Sequence, residues 1–134
     1  MNLQKNLPPD RQAEDVTQRA RAAGVQLVAF LWCDNAGVIR NKATHIDNLP
    51  ERFTSGIGFS AAMQAIRIMD VMEPVEGMGP VGEFRVVPDL DTFTLLPYAP
   101  KRALAICDLV SLDGQPYGAC PRTLSTSTSR QRRS

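Results

Sequence analysis

Histidine is almost missing: His45 stands alone, which excludes a multi-histidine metal centre and leaves a histidine-dependent nucleophilic triad with little support. The three cysteines, Cys33, Cys107 and Cys120, are odd in number and far apart, so neither a disulfide framework nor a CxxC metal or redox pair can be read from them. Buried reduced thiols are the expectation. No apolar run approaches membrane-spanning length; the longest, Val25 to Cys33, is interrupted by Gln26. The N-terminus carries acids and a proline pair where a secretory signal needs an apolar core, so a cytoplasmic location is expected and no membrane partner. Neither GxSxG nor GxxxxGK[ST] is present. Charge of one sign is also scarce: residues 1 to 122 are net −2 and the last twelve residues +3, with no basic face interleaved with aromatics, which speaks against a nucleic-acid partner.

What remains is an ordinary globular composition, 43% hydrophobic and 22% charged over 134 residues, enough for one domain. Pro8-Pro9-Asp10 reads as a helix start with Asp10 as N-cap, and Ala13, Val16, Ala20 and Ala23 keep helical spacing up to Gly24. Val25 to Cys33 reads as a buried strand, and Asp34 to Gly37 as a hairpin turn. Val38 to His45 then returns with Arg40, Lys42 and Thr44 on one face. Asp47 is the expected cap of a short helix from Asn48 to Ser55. Ser60 to Met69 is apolar without a clean period, leaving a helical turn or an irregular ligand-facing loop both open.

Gly77 to Pro100 is the densest stretch of signals. Glu83 to Val87 and Thr92 to Leu96 read as strands around the Pro88-Asp89 turn, and Ala103 to Leu112 as a further strand buried on both faces as far as Asp108. A last short strand is expected around Tyr117, and beyond Arg122 the composition turns to a Ser/Thr/Arg tail without apolar periodicity, expected to be disordered. The order of elements makes an α+β domain with a mixed sheet packed on a helix. Residues 1–9 are expected to be a flexible N-terminus, 10–122 the domain, and 123–134 the tail.

Two motifs lose to simpler readings. Gly77 to Gly82 spells GxGxxG, but Pro80 and the strand that follows remove the helix a dinucleotide site needs. Asp34, Asp89, Asp91 and Asp108 could bind a hard cation, yet aspartate beside proline or glycine is what turns use. From the residues alone, no complete catalytic or metal constellation emerges.

Four segments, LVAFLWCDNAGVIRNKA, ERFTSGIGF, EGMGPVGEFRVVPDLDTFTLLPYAP and CDLVSLDGQPYGACPR, resemble in order and wording the N-terminal domain of the glutamine synthetase family, more its divergent branch than the housekeeping enzymes. The likeness covers about residues 10 to 122. It implies a β-grasp fold and, for a complete family member, an ATP- and magnesium-dependent ligase of nitrogen metabolism that joins glutamate to ammonia or an amine through an acyl phosphate. It also implies that the metal ligands and nucleotide site lie in a catalytic domain outside these residues, so the chain is expected to be a truncated, inactive piece of a glutamine-biosynthesis type enzyme. The alternative implied is a stand-alone module that docks into rings of a full-length synthetase. Partners are therefore expected to be synthetase-like subunits or further copies of the chain. In the family this domain walls the amine pocket of a neighbouring subunit; Ser60 falls where the ammonium-binding aspartate stands, and Glu83 matches another acidic position of that pocket. A neutral hydroxyl cannot attract ammonium as a carboxylate does, which fits a larger amine or a member without activity. Trp32, Phe59 and the face of the Glu83 strand are expected to form an exposed apolar patch. The Ser/Thr/Arg ending departs from the family pattern and reads as a premature or out-of-frame end.

Overall fold

A computed structural model describes residues 9–131, with the side chains of 127, 130 and 131 excluded. It is an α+β fold with a mixed six-stranded sheet, in keeping with the expected class. The elements are α1 (Pro9–Ala22), β1 (Leu27–Cys33), β2 (Ile39–His45), α2 (Leu49–Ser55), β3 (Ile57–Ser60), β4 (Glu83–Pro88), β5 (Thr94–Leu95), β6 (Arg102–Val110) and α3 (Pro121–Gln131). The strand order is β2-β1-β6-β4-β3, with β5 pairing β6. No described helix is long and apolar enough to cross a membrane. Residues 1–8, expected to be flexible, lie outside the described residues.

Two compact units share the strands: one takes the described residues up to Leu31 with Asn41–Gly56 and Val87–Cys107, the other Trp32–Arg40, Ile57–Val86 and Asp108 onward. In the first unit, β1 and β6 run parallel with Val28 opposite Ala103 and Phe30 opposite Ala105, all four buried. Period-two alternation sends these side chains to one face. β6 is fully buried on that face only; Ile106, on the other, is 43% exposed, so the expected two-sided burial is not what the strand shows. α1 buries Val16, Thr17 and Ala20 and touches α2 and the 3-10 turn Leu90–Thr92, its alanine permitting close approach. The cap before α2 is not Asp47: His45 Nδ1 accepts from the Asp47 N–H, so Asp47 sits inside the 3-10 turn Ile46–Asn48. The extended run expected from Thr92 to Leu96 shrinks to β5, because Asp89 Oδ1 accepts from the Asp91 N–H and winds Leu90–Thr92 into a turn.

The second unit holds the Asp34 turn, β3 with the 3-10 turn Ala61–Ala65, most of β4, and α3. No separate strand forms at Tyr117; an isolated bridge links Val110 to Pro116. Past Arg122 the composition promised no regular structure, yet α3 is helical to Gln131, with 132–134 outside the described residues. Pro121 supplies a first position that needs no N–H, and the hydroxyls that would compete with the backbone fold back instead. Ser125 and Thr126 donate to the Arg122 carbonyl at 2.9 and 3.0 Å, and Thr128 donates to Leu124 at 3.0 Å.

Candidate functional site

β3 and β4 pair antiparallel with Ser60 opposite Glu83, Phe59 opposite Phe84 and Gly58 opposite Arg85. Alternation along both strands puts Gly58, Ser60, Glu83 and Arg85 on one face and the two phenylalanines on the other. Both sequence-derived site residues are therefore cross-strand partners. Glu83 lays its carboxylate over Gly58, where a Cβ would collide with it, and reaches Arg85 at 3.0 Å. That ion pair is partly exposed, so Glu83 is available to a ligand, but any cation must share it with Arg85. Ser60 Oγ accepts from the Ala62 N–H at 3.3 Å, capping the 3-10 turn and leaving its own O–H to donate.

Beneath the polar face runs an aromatic ladder. Trp32 and Phe59 stand 5.5 Å apart between ring centroids, Phe59 and Phe84 6.3 Å, Phe84 and Tyr117 4.0 Å. Trp32 is 3% and Phe59 4% exposed, which corrects the expectation that they form a surface patch: they satisfy one another. Burial raises the Tyr117 phenol above its ordinary value. Trp32 Nε1 and both amide atoms of Gln64 are buried without a hydrogen-bond partner among the described residues.

The Asp34 turn supports this unit. Asp34, 1% exposed, accepts from Ala36 N–H and Val38 N–H through Oδ1 and from Arg40 Nε through Oδ2 at 2.6 Å. Gly37 takes φ +83°, a conformation that suits glycine, and so closes the turn. Arg40 extends to Asp70 at 2.8 Å, and the two carboxylates, Asp34 first, hold its guanidinium pKa above the ordinary value. The sequence offered no signal for Asp70, an aspartate at φ +58° some thirty positions away. Asp34 and Asp89 thus serve turns, as their neighbours in sequence suggested.

A cleft of about 720 Å³ opens beside Ser60. Its other walls come from Ala62 and from Met72 to Pro80, including Pro74, Val75, Met78 and the carboxylates Glu73 and Glu76. Glu83 does not line it. Met78, Gly79 and Pro80 of the GxGxxG stretch lie in this wall, and β4 rather than a helix follows the motif. Among the described residues, no three metal-binding side chains come together.

Comparison with known sequences decides the family. Residues 12–117 match the family model described as the glutamine synthetase N-terminal domain. The chain belongs to the glutamine synthetase N-terminal domain family. Similar curated proteins include a γ-glutamylpolyamine synthetase of Streptomyces coelicolor, 32% identical over 75% of this chain and 22% of that protein. A γ-glutamylanilide synthase of Acinetobacter is 28% identical over 87% of this chain and 27% of that protein. Among solved structures, a novel glutamine synthase homolog superposes with a TM-score of 0.72 at 30% identity, covering 81% of this chain and 27% of its own. The glutamine synthetase N-terminal domain seen here thus spans about a quarter of the length of these relatives.

Proposed function

We propose that this domain forms the amine-side wall of a glutamine synthetase-like ligase that joins the γ-carboxyl of glutamate to an amine larger than ammonia. The observation that carries the reading is the cross-strand pairing of Ser60 with Glu83, with Ser60 lining a cleft far larger than ammonium. The chemistry of the family, phosphorylation of a carboxyl by ATP followed by attack of nitrogen on the acyl phosphate, needs cation and nucleotide ligands, which this reading assigns to a catalytic domain. What the domain's own groups do is narrower. Ser60 offers a hydroxyl to an approaching amine, Glu83 a shared carboxylate, and the aromatic ladder under β3 and β4 keeps both strands rigid. Relatives that conjugate aniline or polyamines support an amine beyond ammonia. By this reading the chain alone does not turn over and works against a catalytic domain, whether joined to it or brought by a synthetase-like subunit.

The test is γ-glutamyl amide formation from glutamate, ATP and magnesium with ammonia, alkylamines, aniline or spermidine, followed by mass spectrometry. The pure chain is expected to make no product. Joined to the catalytic portion of the γ-glutamylanilide synthase in place of its own N-terminal domain, it is expected to support conjugation of a larger amine. Turnover by the pure chain, or a joined protein that folds and binds ATP but never forms an amide, contradicts the reading.

A further inference from the structure

We infer that the cleft walled by Met72 to Pro80 selects a primary monoamine with an apolar body, in preference to both ammonium and a polyamine; this rests on the amine-wall reading above. The cleft's volume of about 720 Å³ is many times the roughly 30 Å³ a water-sized ion fills, so ammonium would leave it essentially solvent-filled. Its lining sorts larger amines by chemistry. Met72, Pro74, Val75, Met78 and Pro80 present thioether and hydrocarbon surface, and methionine adapts its shape to irregular apolar groups. Two carboxylates also face it, but Glu73 is already held by Arg67 at 2.5 Å. Glu76 has no ion-pair partner among the described residues. One free carboxylate balances one ammonium. A polyamine would place its further cations against methionine and proline, where they lose water without a counter-charge.

The wall is tied down on both sides. Glu73 N–H donates to Ala65 O at 3.0 Å, Ile66 bridges Met72, and Met78 N–H donates to Val75 O at 3.0 Å. Arg40 anchors Asp70 at its start. An amine therefore meets a formed surface, with Ser60 at one side to receive its nitrogen and Met72, Val75 and Met78 as the residues that read its body.

The 134-residue chain, labelled at its methionine methyls, is titrated at constant ionic strength with n-butylamine, n-hexylamine, spermidine and ammonium chloride and followed by NMR. Met72 and Met78 methyl signals are expected to shift with the monoamines, each added methylene tightening Kd about two- to fourfold. Spermidine and ammonium are expected to bind about tenfold or more weakly than hexylamine. Glu76→Gln, on an exposed turn where the fold has little at stake, is expected to weaken hexylamine about two- to fivefold. Spermidine binding as tightly as hexylamine, affinity independent of chain length, or methyls that do not move each overturn the inference. A joined protein that conjugates amines while these methyls stay still would sink the cleft assignment and leave the amine-wall reading intact; cleft binding without turnover would do the reverse.

Discussion

Asp34 shows how much one side chain can hold. Its carboxylate is inaccessible to solvent and satisfies two backbone N–H groups and Arg40, so Asp34→Ala leaves buried donors and a partly buried guanidinium short of a partner. A loss of about 3 kcal/mol is expected in urea unfolding. Asp70, 76% exposed at its side chain, contributes under about 1 kcal/mol to the same arginine. Asp70→Gly is therefore expected to unfold within about 1 kcal/mol of the parent, the lost ion pair offset by relief at φ +58°. Gln64 presents the opposite case. Because its buried amide has no partner among the described residues, Gln64→Met should be neutral or stabilising by about 1 kcal/mol, and a large loss would contradict that.

Tyr117 links pH to stability at the same scale. Burial raises its folded pKa, so the protonated phenol favours the fold and this contribution is complete below about pH 10, the unfolded value. Above that, the unfolded chain loses its proton first and stability falls as pH rises through the folded pKa. Tyr117→Phe is expected to flatten this part of the profile. An unchanged alkaline slope in the phenylalanine variant would assign it to other groups.

Elements explain which parts of the sequence were readable. β1, the Asp34 turn and β2 announced themselves because alternation and turn chemistry are local, and the family resemblance pointed to Ser60, after GIGF, and to Glu83 as expected positions of an amine pocket. Nothing local revealed that these two face each other, since pairing of β3 with β4 spans 22 intervening positions, and Gly58 within β3 and Gly56 just before it disguise a strand. The same blindness placed Trp32 and Phe59 on the surface. Each looks like an exposed aromatic until the other is brought beside it, and a tertiary contact of 5.5 Å is invisible to periodicity. Fluorescence of the single tryptophan checks this: blue-shifted emission that resists acrylamide is expected, and quenching like that of a free indole would contradict the ladder. α3 escaped for a different reason: serine and threonine carry weak helix propensity, and only their hydroxyl bonds to the preceding turn reconcile them with a helix. At β3, Gly58→Ala should leave the fold within about 1 kcal/mol, because the obstacle is the flexible end of Glu83. The carboxylate must then swing off the strand face, and a crystal structure of the variant with Glu83 unmoved would refute that packing.

At the level of the whole molecule, a small α+β domain carries Ser60 and Glu83 side by side, a cleft at Ser60 and exposed apolar residues that include Ile68, Met69 and Val81, without a cluster of three metal-binding side chains among its described residues. In the proposed reading, such a surface is half of a site completed by other protein. In the proposed reading, the chemical difference from an ammonium-using wall is Ser60, a hydroxyl where a carboxylate would attract the cation. In the chain joined to a γ-glutamyl ligase catalytic portion, the ratio of kcat/KM for hexylamine to that for ammonia measures this directly. A ratio well above one for Ser60, falling about tenfold or more in Ser60→Asp as ammonia use rises, is the expected result. A ratio that favours ammonia from the start and does not change with the aspartate would contradict the assignment of this face to the amine.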